Sequence, residues 1–136
     1  MRWLVISALS VLAVTGAAAE TIYDCEMKNN QRVYGWIPER LVIIVDEQDS
    51  TAMAIDDYIN HYYDKPIPVT YKDLRNGKFR VTWKHEDMKV RGSGAISATY
   101  SALVSKKTGR AQMRVRLGGA ADNRPSGQGP CKISKR

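Results

Sequence analysis

The chain has 136 residues, 43% of them hydrophobic and 26% charged, with a formal net charge of +7. That length supports one domain with its own core and excludes two. Two cysteines are too few for a structural zinc cluster, and no stretch approaches the roughly 20 apolar residues of a membrane-spanning helix.

The N-terminus reads as an export signal. Arg2 gives a minimal positive start, and Trp3 to Val14 is apolar apart from Ser7 and Ser10. Ala17-Ala18-Ala19 then supplies the small residues that a signal peptidase reads. Residues 1–19 are expected to be cleaved, leaving a single β domain over 20–136, periplasmic or secreted, with no transmembrane anchor. Ile22-Tyr23-Asp24 ahead of Cys25 does not suit lipid attachment. Cys25 and Cys131 form an even pair in an oxidising compartment and are expected to join as a disulfide. Their spacing matches no Cys-x-x-Cys redox motif.

In chain order, Thr21 to Met27 alternates loosely and is expected as a strand, followed by a polar turn at Lys28-Asn29-Asn30-Gln31. Gly35-Trp36-Ile37-Pro38 is extended, because a proline biases its predecessor toward β geometry. Leu41 to Val45 is the most β-prone run. It suits a strand buried on both faces or one packed beneath a loop on its outer side. Asp46 to Ser50 turns the chain. Thr51 to Tyr63 reads as a bent strand or as one short helix. Ile55, Tyr58, Ile59 and Tyr62 fit a helix face, with Asp49 or Ser50 as its cap.

Pro68 to Leu74 and Phe79 to Lys84 flank Asn76-Gly77, a strong signal for a tight hairpin. Phe79, Val81 and Trp83 alternate with Arg80, Thr82 and Lys84. Met88 to Gly94 reads as a looser connection. Two more alternating runs, Ala95 to Val104 and Ala111 to Leu117, flank a turn at Lys106-Lys107-Thr108-Gly109. The Gly/Pro-rich segment 118–130 is expected as a loop returning the chain toward Cys25. Strands at this spacing predict an all-β domain, a small antiparallel barrel or sandwich of about seven or eight strands joined as meander hairpins.

Chemistry-bearing motifs are sparse. His61 and His85 stand apart, and His85-Glu86-Asp87 on a strand would point to alternating faces. Both histidines are therefore expected on the surface or at a hairpin end. Ser93 lacks the Gly-x-Ser-x-Gly elbow, Ser126 has no histidine near it in sequence, and Asp56-Asp57 reads as cap or turn acids. No catalytic, metal or cofactor-binding residue is assigned, and no enzyme activity is expected.

Binding has more support. Trp36, Tyr71, Trp83 and Tyr100 are candidates to line a pocket. Charge is segregated along the chain. Residues 74–136 hold fifteen Lys or Arg against Glu86, Asp87 and Asp122, a net of +12. Residues 39–73 hold eight acids against Arg40, Lys65 and Lys72, a net of −5. Arg80, Lys84, Arg114 and Arg116 are the candidate contacts for an anionic partner such as lipopolysaccharide, an acidic glycan or an acidic protein. Nucleic acid is not expected in this compartment.

Tyr23-x-Cys25, Gly35-Trp36-Ile37-Pro38 and the closing Asn123-Arg124-Pro125-Ser126-Gly127-Gln128-Gly129-Pro130-Cys131 together resemble a family of small exported proteobacterial proteins of unknown function. That resemblance implies export and no activity. More distantly, the early Tyr-x-Cys with a late cysteine is similar to periplasmic lysozyme inhibitors at the level of fold, although their inhibitory loop is not recognisable here. The expectation is a non-enzymatic binding or interaction module of the cell envelope. A small barrel carrying an apolar ligand and a hydrolase with a non-local site are the alternatives.

Overall fold

A computed structural model describes residues 19–30, 35–90, 94–118 and 124–136. The expected signal segment, up to residue 18, lies outside them. Among the described residues, nine strands and one α-helix follow in order: β1 Glu20–Glu26, β2 Lys28–Asn29, β3 Arg40–Asp46, β4 Thr51–Asp56, α1 Asp57–Tyr63, β5 Ile67–Asp73, β6 Lys78–Val90, β7 Gly94–Ser105, β8 Arg110–Leu117 and β9 Ser126–Lys135.

Hydrogen bonding runs antiparallel in the order β1-β3-β4-β5-β6-β7-β8-β9, and β9 returns to β1. The result is a closed eight-stranded barrel with β2 as an added strand on β9. Closure decides barrel over sandwich. The seam pairs Thr21 with Lys135 through to Cys25 with Cys131, and Cys25 and Cys131 are disulfide-bonded across it. Among the described residues, no helix is long and apolar enough to cross a membrane.

Period-two patterning builds the interior. Leu41, Ile43 and Val45 of β3 point inward with Phe79, Val81 and Trp83 of β6. Ala98, Tyr100, Ala102 and Val104 of β7 join them, as do Ala111, Met113 and Val115 of β8. Five buried alanines, Ala52, Ala54, Ala98, Ala102 and Ala111, leave room for the large aromatics to fill the lumen. Tyr23 meets Phe79 edge-on at 4.9 Å. Trp83 and Tyr100, directly paired across β6 and β7, stack at 5.5 Å with planes 8° apart. The continuous apolar run of β3 resolves into a buried set and an outer set. Val42 and Ile44 are half-buried outside, and Ile44 lies in a row with Ile22 and Met53.

Several expectations need adjustment, beginning with Lys28-Asn29, expected within a polar turn and found as β2. Thr51 to Tyr63 divides in two: β4 ends at Asp56, and the one short helix expected near 51–63 follows at once as α1. The cap is Asp56, whose side chain accepts from the Ile59 amide, rather than Asp49 or Ser50. The 88–94 segment is not a loose connection at its start, because β6 continues to Val90 through a register shift between His85 and Met88. The segment 118–130 is a loop only in part, since β9 begins at Ser126. The hairpin between β5 and β6 turns where expected, with Asn76 at φ 65° and Gly77 at φ 68°.

Candidate functional site

The four candidate cations lie on the outer surface of β6 and β8, but these strands are not neighbours. β7 runs between them. Register sets Lys84 beside Thr99 and Arg116, Thr82 beside Ser101 and Arg114, and Arg80 beside Leu103 and Gln112. Lys78, Ser105 and Arg110 complete the pattern. Two cationic columns, about 10 Å apart by strand spacing, therefore flank a central column bearing Thr99, Ser101 and Ser105. The interposed strand removes the cost of like charges directly opposite one another.

Lys84 reaches Glu86 at 3.9 Å. Among the described residues, no ion pair holds Arg80, Arg114 or Arg116. Arg80, Ser101, Leu103, Gln112 and Arg114 line a shallow depression of about 150 Å³. Two guanidinium groups with a hydroxyl between them suit the oxygen atoms of a phosphate or carboxylate.

The structure places the four candidate pocket aromatics in or against the core. Trp83 and Tyr100 are core, and the Tyr100 hydroxyl donates to the Trp36 carbonyl at 3.0 Å. Tyr71 packs on Phe79 at 5.4 Å, next to the Tyr23–Phe79 pair. Trp36 and Tyr71 are half-buried and pack against the core that Trp83 and Tyr100 belong to.

Sequence reasoning missed a second constellation, at the end of the barrel that α1 covers. His85 is not a surface residue: it is 3% exposed, on the inward parity of β6 after Phe79, Val81 and Trp83. The parity of that strand was the available signal. Tyr100 lies edge-on to the His85 ring at 5.5 Å, and Tyr62 and Tyr63 of α1 approach it at 6.0 Å and 6.1 Å. Among the described residues, neither ring nitrogen has a hydrogen-bond partner, and the same holds for Asp56 Oδ2 and Trp83 Nε1. Burial holds the His85 pKa below the usual histidine range, so the imidazole is neutral at pH 7. His61 is exposed on α1.

Asp56 is 5% exposed. Burial pushes its carboxyl up to about 6, against the 2.7 Å hydrogen bond from the Ile59 amide, which pulls it down. Its unfolded value is 3.8. The folded state therefore binds this proton more tightly. The stability gained, about 3 kcal/mol, is full below pH 4 and lost as pH rises through 6. Asp56→Asn keeps a cap acceptor without the charge. In urea melts it is expected to exceed the parent by up to about 3 kcal/mol at pH 8 and to match it below pH 4. An equal difference at both pH values would refute the buried-carboxylate account. No family model, curated protein or solved structure matches this chain.

Proposed function

We propose that the protein is an exported, non-enzymatic binding module of the cell envelope that docks an anionic partner on the outer face of β6, β7 and β8. The supporting observation is the pair of cationic columns around the hydroxyl-bearing strand, with Arg80, Arg114 and Arg116 outside any ion pair among the described residues. Side chains on one strand face recur about every 7 Å, which favours a partner with repeated phosphate or carboxylate groups over a single small anion. The disulfide supports residence in an oxidising compartment such as the periplasm. An apolar carrier would need an open lumen, whereas this one is occupied by Phe79, Tyr100 and Met113.

Co-sedimentation with lipopolysaccharide aggregates tests the reading against zwitterionic phosphatidylcholine vesicles. Binding to the anionic material alone, falling steeply with salt, is expected. Arg80→Gln/Arg114→Gln/Arg116→Gln is expected to weaken it roughly tenfold or more. A charge-matched control at Lys107, Lys132 and Lys135 is expected to bind nearly as the parent does. Equal losses from the two triple variants would reduce the interaction to bulk charge and overturn the assignment of this face.

A further inference from the structure

The α1-covered end carries a pocket of about 530 Å³, well within the range of small-molecule sites. Its walls are Tyr62 and Tyr63 from α1, and its floor is His85 and Met88 from β6. The register shift between His85 and Met88 places Glu86 and Asp87 at its rim with Lys84. Bulges of this kind re-aim side chains beside binding sites.

Three features set the pocket apart from the rest of the surface. First, Tyr62 and Tyr63 are 42% and 46% exposed, whereas the lumen aromatics Phe79, Trp83 and Tyr100 are buried. Second, the His85 imidazole is buried and its two nitrogens have no hydrogen-bond partner among the described residues. A neutral imidazole offers one lone pair and one N–H, and leaving both unused inside a protein is costly. Third, the rim holds two carboxylates against one ammonium, the reverse of the cationic face on β6 to β8. Only Glu86 is within reach of Lys84, at a loose 3.9 Å, and Asp87 has no ion pair among the described residues.

Aromatic faces attract cations, the rim carboxylates add to that attraction, and a neutral imidazole accepts a hydrogen bond. We propose that this pocket binds a small organic cation with an N–H donor, an ammonium group on an apolar or aromatic stem. The tyrosine rings and the Glu86 and Asp87 carboxylates hold the charge, the His85 lone pair accepts the N–H, and Met88 packs on the stem. Both His85 nitrogens are covered in the free protein, so the ligand reaches them when the Tyr62 or Tyr63 side chain swings outward. Rotamer changes of that kind are common on binding. The site adjoins the cationic face at Lys84 and does not depend on it.

Phenethylammonium is the probe, with phenylacetate as its anionic counterpart. In NMR titrations of the disulfide-bonded protein, the cation is expected to shift the His85 ring and Met88 methyl signals saturably at low millimolar concentration. Phenylacetate is expected to leave them in place. Tyr62→Ala/Tyr63→Ala is expected to weaken binding roughly tenfold. Glu86→Gln/Asp87→Asn, confined to exposed residues, is expected to weaken it several-fold, and it keeps the test sound if the tyrosine variant melts early. No saturable shift with the cation, an equal response to phenylacetate, or unchanged affinity in the Glu86/Asp87 variant overturns the proposal.

Discussion

Gly129→Ala is expected to lose about 4 kcal/mol or more of stability, a large share of the roughly 5–15 kcal/mol that holds a domain folded. A β-carbon at this position would overlap the Glu26 carbonyl oxygen and press on the Met27 backbone. Neither neighbour is the movable end of a side chain. Glu26 is the last residue of β1, Met27 joins it to β2, and β9 hydrogen-bonds to both strands. Relief would require parting β9 from β1 at the seam. Gly127, two residues earlier, is placed similarly: its β-carbon would lie 2.8 Å from the Lys28 carbonyl oxygen and 2.7 Å from Ile37 Cγ2. Gln128 between them is exposed, and Gln128→Ala is expected to change stability by no more than about 0.5 kcal/mol. Urea melts followed by near-ultraviolet circular dichroism compare the pair. A Gly129→Ala protein that melts with the parent would show that the seam is not closed as described.

The disulfide is the second large effect. Cys25 and Cys131 are direct partners in the β1–β9 register and lie 106 residues apart in sequence. A cross-link closing a loop near 100 residues stabilises by about 4.7 kcal/mol in the chain-entropy treatment, and removal of native bridges from small secreted domains costs roughly 2–5 kcal/mol. Cys25→Ala/Cys131→Ala is expected in that lower range. Because Cys25 is fully buried, the alanine also leaves a small void. Reduction of the parent protein isolates the covalent contribution, since both thiols then remain in place. If reduced and oxidised protein melt at the same temperature, the bond contributes nothing to the closed state.

Much of this architecture was legible in the sequence because a barrel strand has one buried face and so alternates. The inward sets of β6, β7 and β8 follow directly from Phe79 to Trp83, Ala98 to Val104 and Ala111 to Val115. Asn76-Gly77 marked its turn because the φ > 0 requirement is local. The boundary at Asp56 was hidden. α1 has seven residues, and an apolar spacing read from Ile55 to Tyr62 crosses a strand end into a helix. His85 was misjudged because a lone histidine was expected at the surface or a hairpin end, while the parity from Phe79 to Trp83 already pointed it inward. Glycines 127 and 129 read as loop composition. Their place in a strand depends on how closely β1 and β2 approach, and nothing local encodes that distance. The separation of Arg80 and Lys84 from Arg114 and Arg116 likewise required the strand order.

Closure through β1 and β9 has a consequence for biosynthesis. A ribosome delivers β1 first among these strands and β9 last, so the partner of one sheet margin is missing until the others have emerged. Until then β1 has β3 on one side and a bare row of amides and carbonyls on the other, as β8 does at the opposite margin. Such margins invite pairing between molecules, and Cys25 is meanwhile a thiol without its mate. A nascent chain halted before Ser126 would therefore be a sticky open ribbon, and holding factors would act on this protein chiefly in that interval.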